Sequence, residues 1–180
     1  MRRVRYQVAM SLDGYIAGPN GEYDWIVSDP EVDFSAMFAQ YDTFLMGRKT
    51  FEPAAEMAAS HGGRTYVFSR TLRQEDYPGV TIISGGAAET VRALKEEEGK
   101  DIWLFGGGLL SRELLEAGLV DTVETAIIPV LVGGGIQLLP PPAPRTKLRL
   151  TGRRIYETSG IVLLEYAVEP PGKKGKKRKR

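Results

Sequence analysis

The stretch Asp101-Ile-Trp-Leu-Phe-Gly-Gly-Gly-Leu-Leu-Ser111 places an apolar strand directly before three glycines and the start of a helix. Glycines let a backbone approach a pyrophosphate closely, and a helix start offers free N–H groups and a partial positive charge. The spacing Gly106-x-Gly108-x-x-Ser111 nearly matches the dinucleotide-binding pattern, with Ser in place of the last small residue. Taken alone, this stretch fits a tight strand-to-helix turn equally well.

Strands and helices alternate on both sides of this stretch. Short apolar or β-branched runs predict strands over residues 4–10, 43–46, 65–68, 80–83, 101–105, 122–129, 147–156 and 161–168. Helices are predicted from the Asp29-Pro30 start to about residue 40, from the turn at 47–50 to about residue 59, and over 87–97 and 109–117, whereas residues 11–25 are predicted to be mostly loop. This order predicts an α/β fold with a mostly parallel central sheet, helices on both faces and an antiparallel C-terminal strand pair.

Composition limits the possible chemistry. The 180 residues contain no cysteine, and the only histidine is His61, which excludes disulfides, a cysteine nucleophile and a metal site built from several histidines. We interpret His61, beside two glycines, as a surface loop residue. With no evident metal site or nucleophile arrangement, the sequence favours an organic cofactor that carries redox chemistry.

Charge and hydropathy indicate one domain, residues 1–170, followed by a basic tail, residues 171–180. Seven of the 24 basic residues lie in that tail, so the body is mildly acidic although the net charge is +1. We expect the tail to be disordered and solubilising rather than nucleic-acid-binding, since no aromatic residue interrupts its charges. No signal peptide is evident, and the uncharged region 126–144 is broken by Gly and Pro, so we expect a cytoplasmic protein with no membrane contact.

Two further strand ends carry groups suited to anions. Phe44-Leu-Met-Gly-Arg-Lys-Thr50 places two cations and a hydroxyl after a buried strand, and Val67-Phe-Ser-Arg70 places a hydroxyl and a guanidinium after the next one. Because ligands of open α/β sheets bind at the carboxyl ends of the strands, these junctions and the triple glycine predict one shared site.

Four motifs, in order, resemble the dihydrofolate-reductase-like superfamily. They are Ser11-Leu-Asp-Gly-Tyr-Ile-Ala17, Met46-Gly-Arg-Lys-Thr-Phe-Glu52, Gly106-Gly-Gly108 and Ile128-Pro-Val-Leu-Val-Gly-Gly-Gly135. More closely, the chain is similar to stand-alone relatives of the C-terminal reductase domain of the bifunctional riboflavin-biosynthesis deaminase-reductase. The resemblance implies a dihydrofolate-reductase-like three-layer fold, NADPH as the cofactor, a small-molecule substrate and a homodimer formed through the C-terminal strand region.

The resemblance also implies roles for single residues. Gly47, Arg48, Lys49 and Thr50 would contact the cofactor phosphates, Ser69 and Arg70 the adenosine 2′-phosphate, Gly106, Gly107, Gly108, Leu109 and Leu110 the pyrophosphate, and Met10 and Ile16 the nicotinamide. The chain departs from the family in the substrate half: Tyr15 stands where the riboflavin reductases usually have a basic residue. The carboxylate that dihydrofolate reductases place on the first helix corresponds only roughly to Glu31 or Asp33.

Asp13 is the best candidate for a catalytic or substrate-binding carboxylate because it follows the first strand. The alternative is that Asp13 only shapes an Asp-Gly turn. Tyr15 and Trp25 are candidates for stacking on a flat substrate, although aromatic side chains more often serve as packing anchors, the interpretation that we favour. The proton donor stays open among Asp13, Tyr15 and water.

These observations predict an NADPH-dependent reductase that transfers hydride to a heterocyclic or sugar-derived carbonyl or imine. Reduction of 5-amino-6-(5-phosphoribosylamino)uracil is the first named candidate reaction, and reduction of dihydrofolate is the second. The alternatives are a non-catalytic nucleotide-binding or regulatory module of the same fold and a protein that contacts nucleic acid through its tail.

Overall fold

Eight strands form one sheet in a computed structural model of the chain, which describes residues 1–60 and 62–170. The strands of the described part are β1 (Val4–Ser11), β2 (Tyr15–Ala17), β3 (Tyr41–Gly47), β4 (Arg64–Phe68), β5 (Thr81–Ile83), β6 (Asp101–Gly106), β7 (Thr122–Ile128), β8 (Ile136–Gln137), β9 (Leu148–Tyr156) and β10 (Ile161–Val168). The main sheet has the order β5-β4-β3-β6-β1-β7-β10-β9, and β2 pairs with β8 in a separate two-stranded sheet.

Six neighbouring strands of the main sheet are parallel, and β10 and β9 are antiparallel to their neighbours. The helices are α1 (Phe34–Phe38), α2 (Arg48–Phe51), α3 (Ala55–Ser60), α4 (Ala87–Glu96) and α5 (Gly108–Glu116). The predicted mostly parallel α/β sheet with an antiparallel C-terminal strand pair is therefore confirmed.

Helices cover the two faces of the parallel strands in separate groups. On one face, α4 and α5 pack Val91 and Leu114 against Val4, Tyr6 and other buried side chains of the central strands. On the other face, the α1–α3 segments pack against β3, β4 and β6. Of the central strands, β3 and β6 are thus packed on both faces, and most of their residues are apolar. In β1, Arg5 and Gln7 alternate with the buried Val4 and Tyr6, so apolar side chains occupy one face there.

The chain changes face between β3 and β6, which are hydrogen-bonded neighbours. From β3 the chain continues into α2 and α3 on one face, whereas from β6 it continues into α5 on the other. Two helices therefore start at adjacent strand ends and continue on opposite faces of the sheet. Such a topological switch point is where open α/β sheets bind ligands.

The first helix was predicted to begin at Asp29-Pro30, and this prediction is wrong. The buried carboxylate of Asp29 instead accepts hydrogen bonds from the backbone N–H groups of Glu31 (2.9 Å) and Ser159 (3.0 Å), which attaches this segment to the β9–β10 turn. The helix starts at Phe34, and Asp33 caps it by accepting a 2.9 Å hydrogen bond from the N–H of Ala36.

One other local prediction needs correction. The single helix expected up to about residue 59 is divided by a 3-10 turn, Glu52–Ala54, because Pro53 has no N–H to donate to a continuous helix. Residues 11–25 are mostly loop, as predicted, but they also contain the short strand β2, because Tyr15 pairs with Gln137, more than 100 residues later.

The faces of β9 and β10 lie beyond these helices. Leu148, Leu150 and Ile155 of β9 are exposed. Among the described residues, no helix is long and apolar enough to cross a membrane. The predictions of a surface position for His61 and a disordered tail over 171–180 fall outside the described residues.

Candidate active site

The sheet order places the three predicted cofactor-binding junctions side by side. Ser69 and Arg70 follow β4, the 47–50 segment follows β3, and the 106–110 segment follows β6. The 11–15 segment after β1 comes next along the same edge. The structure therefore brings these groups, distant in sequence, into one row at the carboxyl ends of parallel strands.

At the centre of this row, at the ends of β3 and β6, glycine backbone rather than side chains forms the surface. Gly106 and Gly107 have φ angles of +150° and +101°, which side-chain-bearing residues rarely adopt. A Cβ on Gly107 would lie 3.5 Å from the Cα of Gly47 and 3.6 Å from the hydroxyl oxygen of Thr50. The two strand ends thus form a glycine cradle, residues 47 and 106–107, in which main chain, one hydroxyl and the start of the nine-residue helix α5 are close together.

Not every residue of the 106–110 segment is placed for ligand contact. A Cβ on Gly108 would lie 2.6 Å from the carbonyl oxygen of Gln137, so Gly108 is needed for close packing against the 137–140 segment. Leu110 is buried, whereas Leu109 is exposed. Ser111 is also buried, and its hydroxyl donates to the carbonyl oxygen of Gly107 (3.2 Å), which explains why Ser is accepted in the dinucleotide-binding pattern.

Cations flank the glycine cradle on the β4 side. Arg48 forms an ion pair with Glu52 at 3.0 Å on a partly exposed surface, and Lys49 is exposed. The Ser69 hydroxyl accepts backbone hydrogen bonds from Thr71 and Leu72, so it shapes the turn after β4. Arg70 is the exposed group of that junction.

On the other side of the cradle, Asp13 holds two loops together. Its carboxylate accepts hydrogen bonds from the Ser11 hydroxyl (2.6 Å) and from the backbone N–H groups of Val132 (3.1 Å) and Gly133 (2.7 Å). These bonds, that of Ser11 first, lower the pKa of Asp13 to about 2. A carboxyl group with this pKa is ionised at neutral pH, so the geometry favours a structural anchor over a proton donor.

Ser11 is a site residue that the sequence interpretation missed. It is fully buried at the end of β1, donates to Asp13 and accepts a 2.9 Å hydrogen bond from the N–H of Tyr15. A hydroxyl residue directly after an apolar strand and two positions before an Asp is the signal that could have indicated this role.

The aromatic candidates occupy different surroundings. Tyr15 lies in β2 beside Ile16. Trp25 packs against Ile128 and Ile161, and its indole N–H donates to the carbonyl oxygen of Glu22 (3.3 Å). This packing favours an anchoring role for Trp25.

The remaining predicted positions are Met10 and the acidic residues of the first helix region. Met10 pairs with Ile127 one residue before the end of β1, and it is half-buried. Asp33 is committed to the cap of α1, and Glu31 forms an ion pair with Arg154 at 3.0 Å. The structure therefore places neither carboxylate as an evident proton relay.

The donor set around the glycine cradle fits a dinucleotide. Backbone without side chains, the N-terminus of α5 and the Thr50 hydroxyl suit a pyrophosphate, and Arg48, Lys49 and Arg70 supply positive charge nearby. Among the described residues, no group of three or more acidic or His side chains is arranged to hold a metal ion.

Two solved structures with a similar fold are named as reductases. A diaminohydroxyphosphoribosylaminopyrimidine deaminase/5-amino-6-(5-phosphoribosylamino)uracil reductase from Thermotoga maritima aligns with a TM-score of 0.70 and 19% identity, over 93% of this chain and 56% of that one. Dihydrofolate reductase from Enterococcus faecalis, complexed with NADP(H) and RAB-propyl, aligns with a TM-score of 0.69 and 17% identity, over 93% of this chain and 97% of that one. At these identities the likeness establishes the dihydrofolate-reductase-like fold.

Sequence comparisons give matches of higher identity. The uncharacterized protein YyaP of Bacillus subtilis is 36% identical over 179 residues, which cover 92% of this chain and 94% of YyaP. The RibD C-terminal domain matches residues 2–163, nearly the whole described part. The glycine cradle, the anchored loop after β1 and these matches lead to one conclusion: the chain belongs to the RibD C-terminal domain family, whose fold it shares with dihydrofolate reductase.

Proposed function

We propose that this protein is an NADPH-dependent reductase that acts on a small heterocyclic or sugar-derived carbonyl or imine. The observation that carries the proposal is the glycine cradle at the β3/β6 switch point, with Arg48, Lys49 and Arg70 on one side of it. The fold that the chain shares with dihydrofolate reductase from Enterococcus faecalis, and the NADP(H) bound to that enzyme, support the same proposal.

NADPH, when bound, supplies a hydride to the carbonyl or imine carbon while a proton goes to the oxygen or nitrogen, which yields an alcohol or amine and NADP⁺. The chain's own residues hold and orient the reactants. The backbone of Gly47, Gly106 and Gly107 would contact the pyrophosphate. The side chains of Arg48, Lys49 and Arg70 would neutralise its charge and that of the 2′-phosphate. Met10 and Ile16 border the nicotinamide.

The proton has few possible sources in this site. The ionised carboxylate of Asp13 is occupied by three hydrogen-bond donors, so its proposed role is to hold the loop and to offer a polar edge to the substrate. The Tyr15 hydroxyl or a water molecule then delivers the proton. The 5-amino-6-(5-phosphoribosylamino)uracil reaction and dihydrofolate reduction are the reference reactions for assay.

We also propose that two copies of the chain pair through β9 and β10. Exposed Leu148, Leu150 and Ile155 lie on the sheet face that α4 and α5 cover elsewhere, since Leu150 continues the cross-strand row Tyr6, Val123, Tyr166. An apolar sheet face left open beyond the helices favours association with a like surface.

One titration tests the reductase proposal against its main alternative. NADPH and NADH are added separately to the full chain while nicotinamide fluorescence is followed, and pyrimidine and pterin substrates are then supplied. Binding and oxidation of NADPH support a reductase. No binding of either nucleotide overturns the proposal, and tight binding without oxidation of NADPH by any substrate favours a non-catalytic nucleotide-binding module.

A further inference from the structure

The basic residues along the carboxyl edge of the sheet lie in only one of its two halves. On the cofactor side, beyond β3 and β4, lie Arg48, Lys49, Arg70 and Arg73. The other side, which we call the substrate half, comprises residues 12–34 after β1 and residues 129–139 after β7. In the proposed function the cofactor phosphates occupy the first side, so the substrate occupies the second.

The substrate half carries no cation. Between Leu12 and Gly47 the chain has no Lys or Arg, and residues 129–144 have no charged side chain at all. The 12–34 segment contains six acidic residues: Asp13, Glu22, Asp24, Asp29, Glu31 and Asp33. Any anion that enters this half therefore meets negative charge and finds no cation within these segments to neutralise it.

Two cations from other elements reach this half or its border, and both are already engaged. Arg112 of α5 donates to the carbonyl oxygens of Pro140 (3.5 Å) and Pro141 (3.3 Å) and lies 3.8 Å from the carboxylate of Glu116. Arg154 of β9 forms an ion pair with Glu31 at 3.0 Å and lies over the ring of Tyr156, with its guanidinium carbon 4.5 Å from the ring centroid. Helix N-termini also hold phosphate groups. The helix start in this half, that of the five-residue α1, is capped by the carboxylate of Asp33.

Instead of cations, the substrate half exposes apolar side chains. Of the eleven large hydrophobic side chains that the described part of the chain exposes, six lie in this half: Leu12, Tyr23, Ile26, Val27, Phe34 and Leu131. Leu12 and Leu131 are held near each other, because the N–H of Leu12 donates to the carbonyl oxygen of Val130 at 2.9 Å. Such side chains suit the faces of a flat ring system, and the acidic groups suit its N–H edge.

We infer that the substrate half takes a planar heterocycle without a phosphate group, and that the only phosphates bound in this site are those of the cofactor. The inference rests on the proposed function and narrows it: it separates this protein from a reductase of 5-amino-6-(5-phosphoribosylamino)uracil. Tyr15 is its specificity-determining residue: it begins β2 within the substrate half, and its side chain carries no positive charge.

The test uses two pairs of ligands that differ only in a phosphate. One pair is 5-amino-6-(5-phosphoribosylamino)uracil and its dephosphorylated form; the other is a pterin with a polyol side chain, with and without a terminal phosphate. Each is titrated by calorimetry into the full chain, with and without NADP⁺, at low and high salt. In both pairs we expect the unphosphorylated member to bind at least about tenfold more tightly.

Tyr15→Lys should reduce this preference by at least about threefold at low salt, with less effect at high salt, because the new contact is electrostatic. Thr81→Lys adds the same charge on exposed β5, away from the site, and should leave the preference unchanged. Equal or tighter binding of either phosphorylated ligand by the unmodified chain overturns the inference, as does the absence of binding by both unphosphorylated ligands. Failure of the nucleotide alone to bind overturns only the proposed cofactor function, since the titrations without NADP⁺ still measure the preference.

Discussion

The carboxylate of Asp13 accepts a 2.7 Å hydrogen bond from the backbone N–H of Gly133, although 120 positions separate the two residues. The bond joins the loop after β1 to the loop after β7, two strands that lie side by side in the sheet. The anchored loops form one wall of the substrate half. Asp13 therefore affects the site by holding these two loops in place, and it does so as an ionised carboxylate.

Replacing Asp13 with Asn should remove an acid-sensitive contribution to stability. The pKa of the folded-state carboxyl is lowered to about 2, so the ionised form stabilises the fold fully above about pH 4 and loses this effect as the pH falls toward 2. Unfolding followed at a series of pH values should show a shallower loss of stability in that window for Asp13→Asn. Above pH 5 the shape of the pH–rate profile should be unchanged.

The second half of this prediction discriminates between two roles for Asp13. A proton donor with a titration near neutral pH would give the unmodified protein a limb in its pH–rate profile that Asp13→Asn lacks. Such a lost limb would contradict the anchoring role and assign proton donation to Asp13.

Most of the sheet was predictable because its information is local. All eight strands of the main sheet were predicted to within two residues at each end, since most of them are short runs rich in apolar or β-branched residues between Gly, Pro and charged residues. The β2–β8 pair was missed because Tyr15 finds its partner at Gln137. The start of α1 was misplaced because Asp29 bonds to Ser159, a contact that no local pattern reveals.

The candidate site also has a part that could be predicted from the sequence and a part that could not. The junctions proposed for the cofactor could be predicted to share one edge because glycines and cations stand at the ends of parallel strands. The bonds of Asp13 to Val132 and Gly133, and the packing of Gly108 against Gln137, depend on how separate loops meet. Long-range contacts of this kind set the shape of the substrate half, which explains why the substrate was the least predictable part.

A methyl group at Gly107 should damage both the fold and the cofactor site. Alanine at φ +101° is strained by about 1–3 kcal/mol, and its Cβ would stand 3.5 Å from the Cα of Gly47. We expect Gly107→Ala to lower the free energy of unfolding by this amount and to raise the NADPH Kd at least about tenfold. Gly134→Ala, at ordinary φ with no atom within 4 Å of the added Cβ, is the matched control; equal NADPH affinity in the two variants would contradict the cradle.

Arg48 should distinguish NADPH from NADH. If its guanidinium contacts the 2′-phosphate, Arg48→Ala loses a charged hydrogen bond worth about 1.5–3 kcal/mol, and the NADPH Kd should rise roughly tenfold or more while that of NADH changes little. Arg92→Ala removes an equally exposed arginine on α4, paired with Glu89, and should affect neither nucleotide. Equal losses for both nucleotides would assign Arg48 to the pyrophosphate instead.

The exposed apolar face of β9 should determine whether two copies of the chain associate. We expect the 19.8 kDa chain to sediment at twice its mass and Leu150→Glu or Ile155→Glu to shift it toward the monomer, because each substitution places a carboxylate within an apolar contact. Arg149→Glu is the control, since its side chain lies on the opposite face of the same strand, next to Leu150. A monomeric unmodified chain, or dissociation by Arg149→Glu alone, would contradict pairing through this face. Retained NADPH binding in Leu150→Glu would show that the monomer keeps its fold and that the cradle does not depend on the second copy.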